Sequence, residues 1–358
     1  MKICIVGGIF GMPEAYRRTV VWTPETVLAE GLRARGHSVT TLGHRERPPF
    51  ADFDVVHVHH LGRGMVRASL DPSNVPIVFT VHNHALSSRE RVALTLVRRR
   101  SDAVVYLAPE LLVGRRRAVH ADRALVRVIP NGVPSEDWPP RVPAPPAQGQ
   151  PWRLLFAGQL IPQKRVDLLL GSVARLTSRY DILLELAYHQ DLEEGHLRAA
   201  SRRLGIADRV LFTGALTQRE LASAYRRSHA LVLPSREEHL PSVVTEAMLC
   251  GTPVIATEVG GVRSQLDGFG LLVPPDDSGA LDAAIVRLIE DYARHADAAL
   301  AMSWSARMRF SVEAMIDSHE RLYRDVLAIP GRPVRHRSSH MAGILLAVAA
   351  RVRYQQGL

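Results

Sequence analysis

Lysine is almost missing from this chain. Its 358 residues include 45 basic ones, of which only Lys2 and Lys164 are lysines. The bias is of the kind a GC-rich genome imposes, so much of the formal charge of +9 carries no functional message. It does make Lys164 informative, because lysine is a compact phosphate-binding point charge that arginine does not freely replace. Cysteine is equally scarce: Cys4 and Cys250 form no spaced pair, which excludes a disulfide framework and a zinc knuckle. Long apolar runs are lacking too. The longest, 341–350, falls well short of the roughly 20 residues a membrane-spanning helix needs. Aromatics make up 6% and bring no recognition motif, which argues against nucleic-acid binding. Residues 2–6 read as an opening strand that runs directly into Gly7-Gly8, not as a signal peptide, so a cytoplasmic protein is expected.

What is present reads as globular, with 46% hydrophobic and 23% charged residues and a length suited to two units plus a terminal element. In the first half, short β-branched runs at 2–6, 38–42, 55–59, 77–81, 103–107 and 126–129 alternate with amphipathic stretches at 25–35 and 90–100. That alternation predicts parallel strands joined by helices. Thr23-Pro24-Glu25 is a helix start, and Gly36 stops that helix. Six prolines between 139 and 151 predict an extended spacer, placing an N-terminal domain at 1–138. The alternation restarts over 152–308, with strands at 153–157, 182–186, 210–213, 230–233 and 254–256. A terminal helix follows at 309–328, expected to return to the first domain, and then a basic tail, 329–358. The fold class is therefore α/β, two doubly wound parallel-sheet domains, whose ligands are expected in a cleft at the strand C-terminal ends.

The richest stretch is PSREEHLPSVVTEAMLCGTPVIATEVGG, 234–261. Ser242 is placed to cap a helix over 243–250 that Gly251 closes and Pro253 prevents from continuing. Amides at that helix start, delivered by Leu240-Pro241-Ser242, suit a diphosphate. Glu238 on the loop and Glu246 about one turn into the helix are carboxylates able to accept from sugar hydroxyls, although an arbitrary pair at this spacing is more often two solvated surface acids. Lys164 follows a strand and Gly158 by a short loop, where a cation could meet charge building on a departing diphosphate.

Here the sequence resembles family 4 of the retaining glycosyltransferases, whose hallmark is Glu-x7-Glu between a strand ending in Pro-Ser and an Ala-Met-x-x-Gly-x-Pro-Val-Ile segment. Pro234-Ser235, Glu238, Glu246 and 247–256 fit it, as do AGQLIPQKRVDLLL (157–170), VIPNGV (128–133), ARGHSVTTL (34–42), DVVHVHH (54–60) and 203–235. The resemblance implies the GT-B architecture, two Rossmann-like domains facing across a cleft. It also implies a nucleotide-diphosphate sugar as co-substrate, no metal or other cofactor, and transfer to a small-molecule, glycan or lipid-linked acceptor. Glu238 would hold donor sugar hydroxyls, the backbone of Leu240, Pro241, Ser242 and Val243 the phosphates, Glu246 the ribose, and Lys164 the diphosphate charge. Gly158, Gln159, Arg165 and Ala215 would complete the donor side. His82, at the end of a strand, matches the family's cleft histidine and would act at the donor sugar or the incoming hydroxyl as a catalytic residue, and Gly7, Gly8, Phe10 and His59 are expected on the acceptor side. Attack would come from the front face, the leaving phosphate oxygen accepting the acceptor's proton.

Three departures stand out. Gln159 occupies the position where the family usually has an arginine, with Arg165 as a substitute to consider. Ala187-Tyr188-His189-Gln190 replaces a glycine-rich turn, and Val21-Trp22-Thr23 replaces paired glycines before the first helix. Rival readings are a nucleotide-sugar epimerase on the same fold and a non-catalytic nucleotide-sugar-binding protein. A zinc cluster from His57, His59, His60, His82 and His84 is a third. Arg98–100 and Arg115–117 leave open peripheral contact with an anionic membrane surface, against the plainer reading of solvated helix ends.

Overall fold

β-Branched runs buried on both faces, rather than alternating ones, mark strands of parallel sheets covered by helices. A computed structural model of the chain describes all residues except 18–21, 47–48, 61–62, 72, 83–100, 113–123, 190–191 and 331–358. The helix expected at 90–100, the arginine triplets at 98–100 and 115–117, His84, Gln190 and most of the basic tail lie outside the described residues. No described helix is long and apolar enough to cross a membrane.

The chain divides into two units, one formed by Met1–Gly132 with the segment from Val312 onward, the other by Val133–Ser311. In the first, strands β1 (Lys2–Val6), β2 (Ser38–Leu42), β3 (Val55–His59), β4 (Ile77–Thr80), β5 (Ala103–Tyr106) and β6 (Leu125–Val128) form one sheet in the order β2-β1-β3-β4-β5-β6. All its pairings are parallel. Helix α1 (Glu14–Arg17) is a single turn, α2 (Pro24–Ala34) follows β1, and α3 (Arg63–Leu70) follows β3. The strand order reverses between β1 and β3, so loops after these two strands diverge and leave room for a ligand. Thr23 caps α2 by accepting from the Thr26 amide at 3.3 Å, and the Thr26 hydroxyl accepts from the Thr23 amide at 3.0 Å.

The C-terminal helix, Val312–Leu327, lies against α2 and buries Met315, Ile316, Leu322, Tyr323 and Val326 in the core they share with Ile3, Ile5, Leu28 and Leu32. Gly31 makes this possible: a Cβ there would stand 2.0 Å from Ile316 Cδ1. Arg35 pairs with Asp317, and His37 Nε2 lies 2.8 Å from Glu320 Oε1.

In the second unit, β7 (Trp152–Ala157), β8 (Ile182–Ala187), β9 (Val210–Gly214), β10 (Ala230–Leu233), β11 (Val254–Thr257) and β12 (Leu271–Val273) form a second parallel sheet, in the order β12-β11-β10-β7-β8-β9. The connecting helices are α4 (Val166–Leu176), α5 (Glu194–Arg203), α6 (Gln218–Arg227), α7 (Ser242–Leu249), α8 (Val262–Leu266), α9 (Ser278–Glu290) and α10 (Tyr292–Arg309). Here the order reverses between β7 and β10, and the loops after those strands carry Gly158 to Lys164 and Pro234 to Pro241.

The division falls at Gly132/Val133, ahead of the proline-rich run expected to mark it. Trp138 is fully buried with its ring edge-on to Tyr225, and its carbonyl accepts from Arg307 Nη2 at 2.8 Å. The Arg141 amide donates to the Cys250 carbonyl at 3.0 Å. The run 139–151 is thus part of the second unit. Prolines suit it because an extended segment laid on a surface has few amides to satisfy.

Candidate functional site

The two loops at the second switch point are tied together by main chain and side chain. The Arg236 amide donates to the Gln163 carbonyl at 2.7 Å, and Lys164 Nζ donates to Glu238 Oε1 at 2.6 Å. Both charged side chains are largely withdrawn from solvent, Glu238 more than Lys164. Glu238 is held from below by Gly260 and Gly261. Gly260 has φ +56°, a Cβ on it would stand 1.9 Å from the Glu238 carbonyl oxygen, and the Gly261 amide donates to the His239 carbonyl at 2.7 Å. Thr257 Oγ1 donates to the Ser235 carbonyl at 2.5 Å, and Gln265 Nε2 donates to the Pro241 carbonyl at 2.9 Å and to Thr245 Oγ1 at 2.7 Å. The loop that carries Glu238 is therefore fixed by polar contacts from β11 and α8.

Helix α7 begins one residue earlier than the sequence suggested. Pro241 takes the extended cap position, Ser242 is the first helical residue, and no side chain caps the helix. Ser242 is not the cap because it already lies in the first turn of the helix. Leu240 and Pro241 are buried, Val243 is half-buried and Ser242 is exposed, so the first turn meets solvent with its amides ahead of it. Gly251 at φ +71° closes the helix.

Glu246 is buried and accepts from Tyr225 Oη at 2.9 Å. Burial pushes its carboxyl up to about 7, against the opposing pull of the Tyr225 and Ser242 hydroxyls. Arg165 adopts the left-handed conformation, φ +52°, and its guanidinium is engaged by Asp167 and Asp276. Asp276 also accepts from Arg236 Nε at 2.8 Å. The cation considered as a substitute for the missing arginine at 159 is thus already balanced by two carboxylates. Gly158 and Gln159 are half-buried directly after β7, and Ala215 is exposed after β9. Near it, the Tyr188 amide donates to the Gly214 carbonyl at 3.0 Å, and burial lowers the His189 imidazole's proton affinity.

In the first unit the loops after β1 and β3 meet through Glu25. Gly7 is buried, and a Cβ on it would stand 3.2 Å from Glu25 Cγ and from the Phe10 ring, so both pack against bare backbone. Gly8 precedes the short turn Ile9–Gly11. Glu25 Oε1 lies 2.8 Å from His60 Nε2, the His60 ring sits 4.6 Å from that of His82, and His82 Nε2 lies 3.0 Å from His59 Nδ1. Gly7, Phe10, His59 and His82 are thus joined by one run of contacts. His57 Nδ1 lies 2.7 Å from Tyr323 Oη, and Nε2 lies 2.7 Å from Thr80 Oγ1. Burial drives His57 and His59 well below the ordinary imidazole range, so both are neutral. In the cluster read as a possible zinc site, His57 is engaged by Tyr323 and Thr80, His59 Nδ1 by His82, and His60 by Glu25. No group of three metal-ligating side chains able to hold an ion occurs among the described residues.

Lys164, Glu238, the start of α7 and Glu246 thus belong to one constellation in the second unit. His82, His59, Gly7 and Phe10 belong to another in the first. Tyr225, Gly260 and Gln265 were missed in the first constellation, and the roles of Glu25 and His60 in the second. Tyr225 sits on an amphipathic helix, where an aromatic reads as core. The pair Gly260-Gly261 after β11 was a visible signal.

Residues 142–304 match the family described as glycosyl transferases group 1, and residues 50–137 match glycosyltransferase family 4. D-inositol 3-phosphate glycosyltransferase 2 of Catenulispora acidiphila is 30% identical over 313 residues, covering 77% of this chain and 73% of its own. The D-inositol 3-phosphate glycosyltransferase of Geodermatophilus obscurus is 32% identical over 321 residues, covering 79% and 71%. The chain spans 66% of the corresponding Xylanimonas cellulosilytica protein. Among solved structures, sucrose-phosphate synthase from Thermosynechococcus elongatus superposes with a TM-score of 0.73 at 21% identity, covering 91% of this chain and 99% of its own. Anabaena HepE in complex with UDP-glucose also gives 0.73, at 19% identity, covering 91% and 100%. At these identities the structures establish the fold, two Rossmann-like units of the GT-B type.

Proposed function

Because the chain belongs to family 4 of the glycosyltransferases, we propose that it moves a sugar from a nucleoside-diphosphate sugar to an acceptor hydroxyl with retention at the anomeric carbon. The observation that carries this reading is the Lys164–Glu238 contact beside the open first turn of α7. A cation, a helix N-terminus and a carboxylate fixed at one switch point suit a diphosphate and the sugar attached to it.

In the proposed reaction the amides of Ser242 and Val243 and the ammonium of Lys164 stabilise charge as it builds on the departing diphosphate. Glu238 accepts from donor sugar hydroxyls and orients the ring, and Glu246 accepts from the ribose. The bond from the anomeric carbon to the phosphate oxygen breaks, and the acceptor oxygen attacks from the same face. Its proton passes to the phosphate oxygen that leaves. His82, Gly7 and Phe10 are assigned to the sugar and acceptor, with His59 behind His82. Charge on the leaving group is met by side chain and backbone, so no metal enters this chemistry. Gln159 contributes a neutral amide where the family has an arginine, which leaves Lys164 with a larger share of the leaving-group charge.

The curated relatives' names and the HepE complex suggest the first substrates to try: UDP-glucose as donor and D-inositol 3-phosphate as one acceptor. Proton NMR of the product at early times reads the stereochemistry. An α-linked product from an α-linked donor supports the proposal, and a β-linked product overturns retention. Conversion of donor to an isomeric nucleotide sugar without acceptor would instead favour an epimerase, and binding without turnover a non-catalytic protein.

A further inference from the structure

At the end of β3 the first unit holds a polar cluster more elaborate than its fold requires. His60 is a non-glycine residue at φ +66°, a conformation that costs of order 1 kcal/mol and persists only where surroundings enforce it. What enforces it here is Glu25, 4% exposed in the first turn of α2, whose Oε1 lies 2.8 Å from His60 Nε2. Burial alone would push the Glu25 carboxyl up, but the hydrogen bond from His60 outweighs it and holds the group well below the usual carboxylate range, so it is ionised. A carboxylate accepts only, so His60 Nε2 carries the proton. The His60 ring is thereby set against His82, 4.6 Å between centroids.

The other side of His82 is occupied by His59, whose ring stacks on it at 5.2 Å with Nδ1 3.0 Å from His82 Nε2. His59 Nε2 is buried and has no hydrogen-bond partner among the described residues. A neutral His59 has one proton to place. On Nε2 it would be an orphaned buried N–H, a rare and costly state, whereas on Nδ1 it is donated to His82 Nε2. His82 Nε2 is then an acceptor, and the proton of neutral His82 resides on Nδ1. Packing backs the arrangement: the His59 ring lies 4.2 Å from that of His57, whose two nitrogens are pinned by Tyr323 and Thr80. Among the described residues, the groups facing this cluster include Glu25 from α2, His44 after β2, Thr80 from β4, and His319 and Tyr323 from the C-terminal helix.

We propose that His59, and Glu25 acting through His60, are positioning residues that lock His82 into one orientation and one neutral tautomer, with its proton on Nδ1, so that His82 serves as a hydrogen-bond donor and not as a base. The inference rests on the assignment of His82 to the reacting sugar or acceptor. It predicts that a side-chain amide can stand in for each donor nitrogen. Asparagine presents its N–H near the place of a histidine Nδ1–H, and glutamine near that of Nε2–H.

The test combines kinetics with histidine NMR on the full chain. Glu25→Gln and His59→Ala are expected to lower kcat by roughly 10- to 100-fold through misplacement of His82, with the donor KM unchanged. His59→Asn, His60→Gln and His82→Asn should recover most of the rate lost in the corresponding alanine variants. In a His82→Ala background, Glu25→Gln should cost nothing further, because its effect runs through His82. The 15N shifts of His82, assigned by difference against His82→Asn, should report a protonated Nδ1 in the native chain and a tautomer mixture in His59→Ala. A full Glu25→Gln loss persisting without His82, or a His82 tautomer that is Nε2–H or indifferent to His59, overturns the proposal. If the native chain transfers no sugar, the transfer reading fails by itself, and the tautomer measurement still decides this one.

Discussion

Lys164 Nζ and Glu238 Oε1 stand 2.6 Å apart across 74 residues of sequence, joining the loop after β7 to the loop after β10. Removing the cation leaves a buried carboxylate without its partner, which costs about 1–3 kcal/mol. Lys164→Ala should therefore lower the melting temperature and reduce turnover by roughly 100-fold or more. The double substitution Lys164→Met, Glu238→Gln should restore stability without restoring turnover. Recovery of both together would show the pair to be purely structural.

Arg165 provides the contrast. Its guanidinium is already balanced by Asp167 and Asp276, so Arg165→Ala should change stability by less than about 1 kcal/mol, as partly exposed pairs do. Steady-state kinetics should show a far smaller loss than Lys164→Ala. A loss as large would make Arg165 a leaving-group cation after all.

Glu246 makes a pH prediction. Its carboxyl is raised to about 7 in the fold from an ordinary 4.5, so the folded chain holds this proton more tightly than the unfolded chain. The resulting stability is fully present below about 4.5 and is lost as pH rises through about 7, a change of up to about 3 kcal/mol. Melting curves of the native chain and of Glu246→Gln should diverge over that window, with the variant gaining relative stability as pH rises. Ribose hydroxyls donate to the ionised form, so nucleotide affinity should increase from pH 6 to 8 in the native chain and be flat in Glu246→Gln.

Gly260 tests the support of the Glu238 loop. A methyl group there meets the Glu238 carbonyl oxygen at 1.9 Å in a left-handed conformation, so Gly260→Ala must displace the loop, at a strain cost of about 1–3 kcal/mol. Hydrogen exchange should rise in residues 234–241, and nucleotide affinity should fall, while exchange in the first unit is unchanged. Unaltered affinity would separate Glu238 from nucleotide binding.

Tyr323→Phe removes one hydroxyl and leaves buried His57 Nδ1 unpaired, which should destabilise the chain by about 1–3 kcal/mol. Chemical denaturation reads the loss directly. No loss would mean that the Tyr323–His57 contact does not help to hold the C-terminal helix.

Much of the fold could be read from runs of β-branched residues, because a strand buried on both faces announces itself locally. β12 escaped because three residues between Gly270 and Pro274 are too short to show a period. The unit boundary escaped because prolines signal an extended chain without saying what it lies against, and burial of Trp138 is a tertiary fact. Lys164 was conspicuous through the scarcity of its kind, and Glu238 and Glu246 through their spacing. Their partners were not: that Tyr225 reaches Glu246, or Glu25 reaches His60, depends on how helices settle on the sheet. Ser242 was misread because the cap falls where the extended chain ends, here at Pro241, and nothing local in the sequence decides between two neighbouring positions.

If the start of α7 with Lys164 and Glu246 receives a nucleoside diphosphate, calorimetric titration of the purified chain with UDP, GDP, ADP and dTDP, each with and without magnesium, should show one nucleotide binding selectively without the metal, and binding should weaken sharply in Lys164→Ala and Glu246→Ala. Binding of none of them, or equal binding by both variants, would contradict that reading.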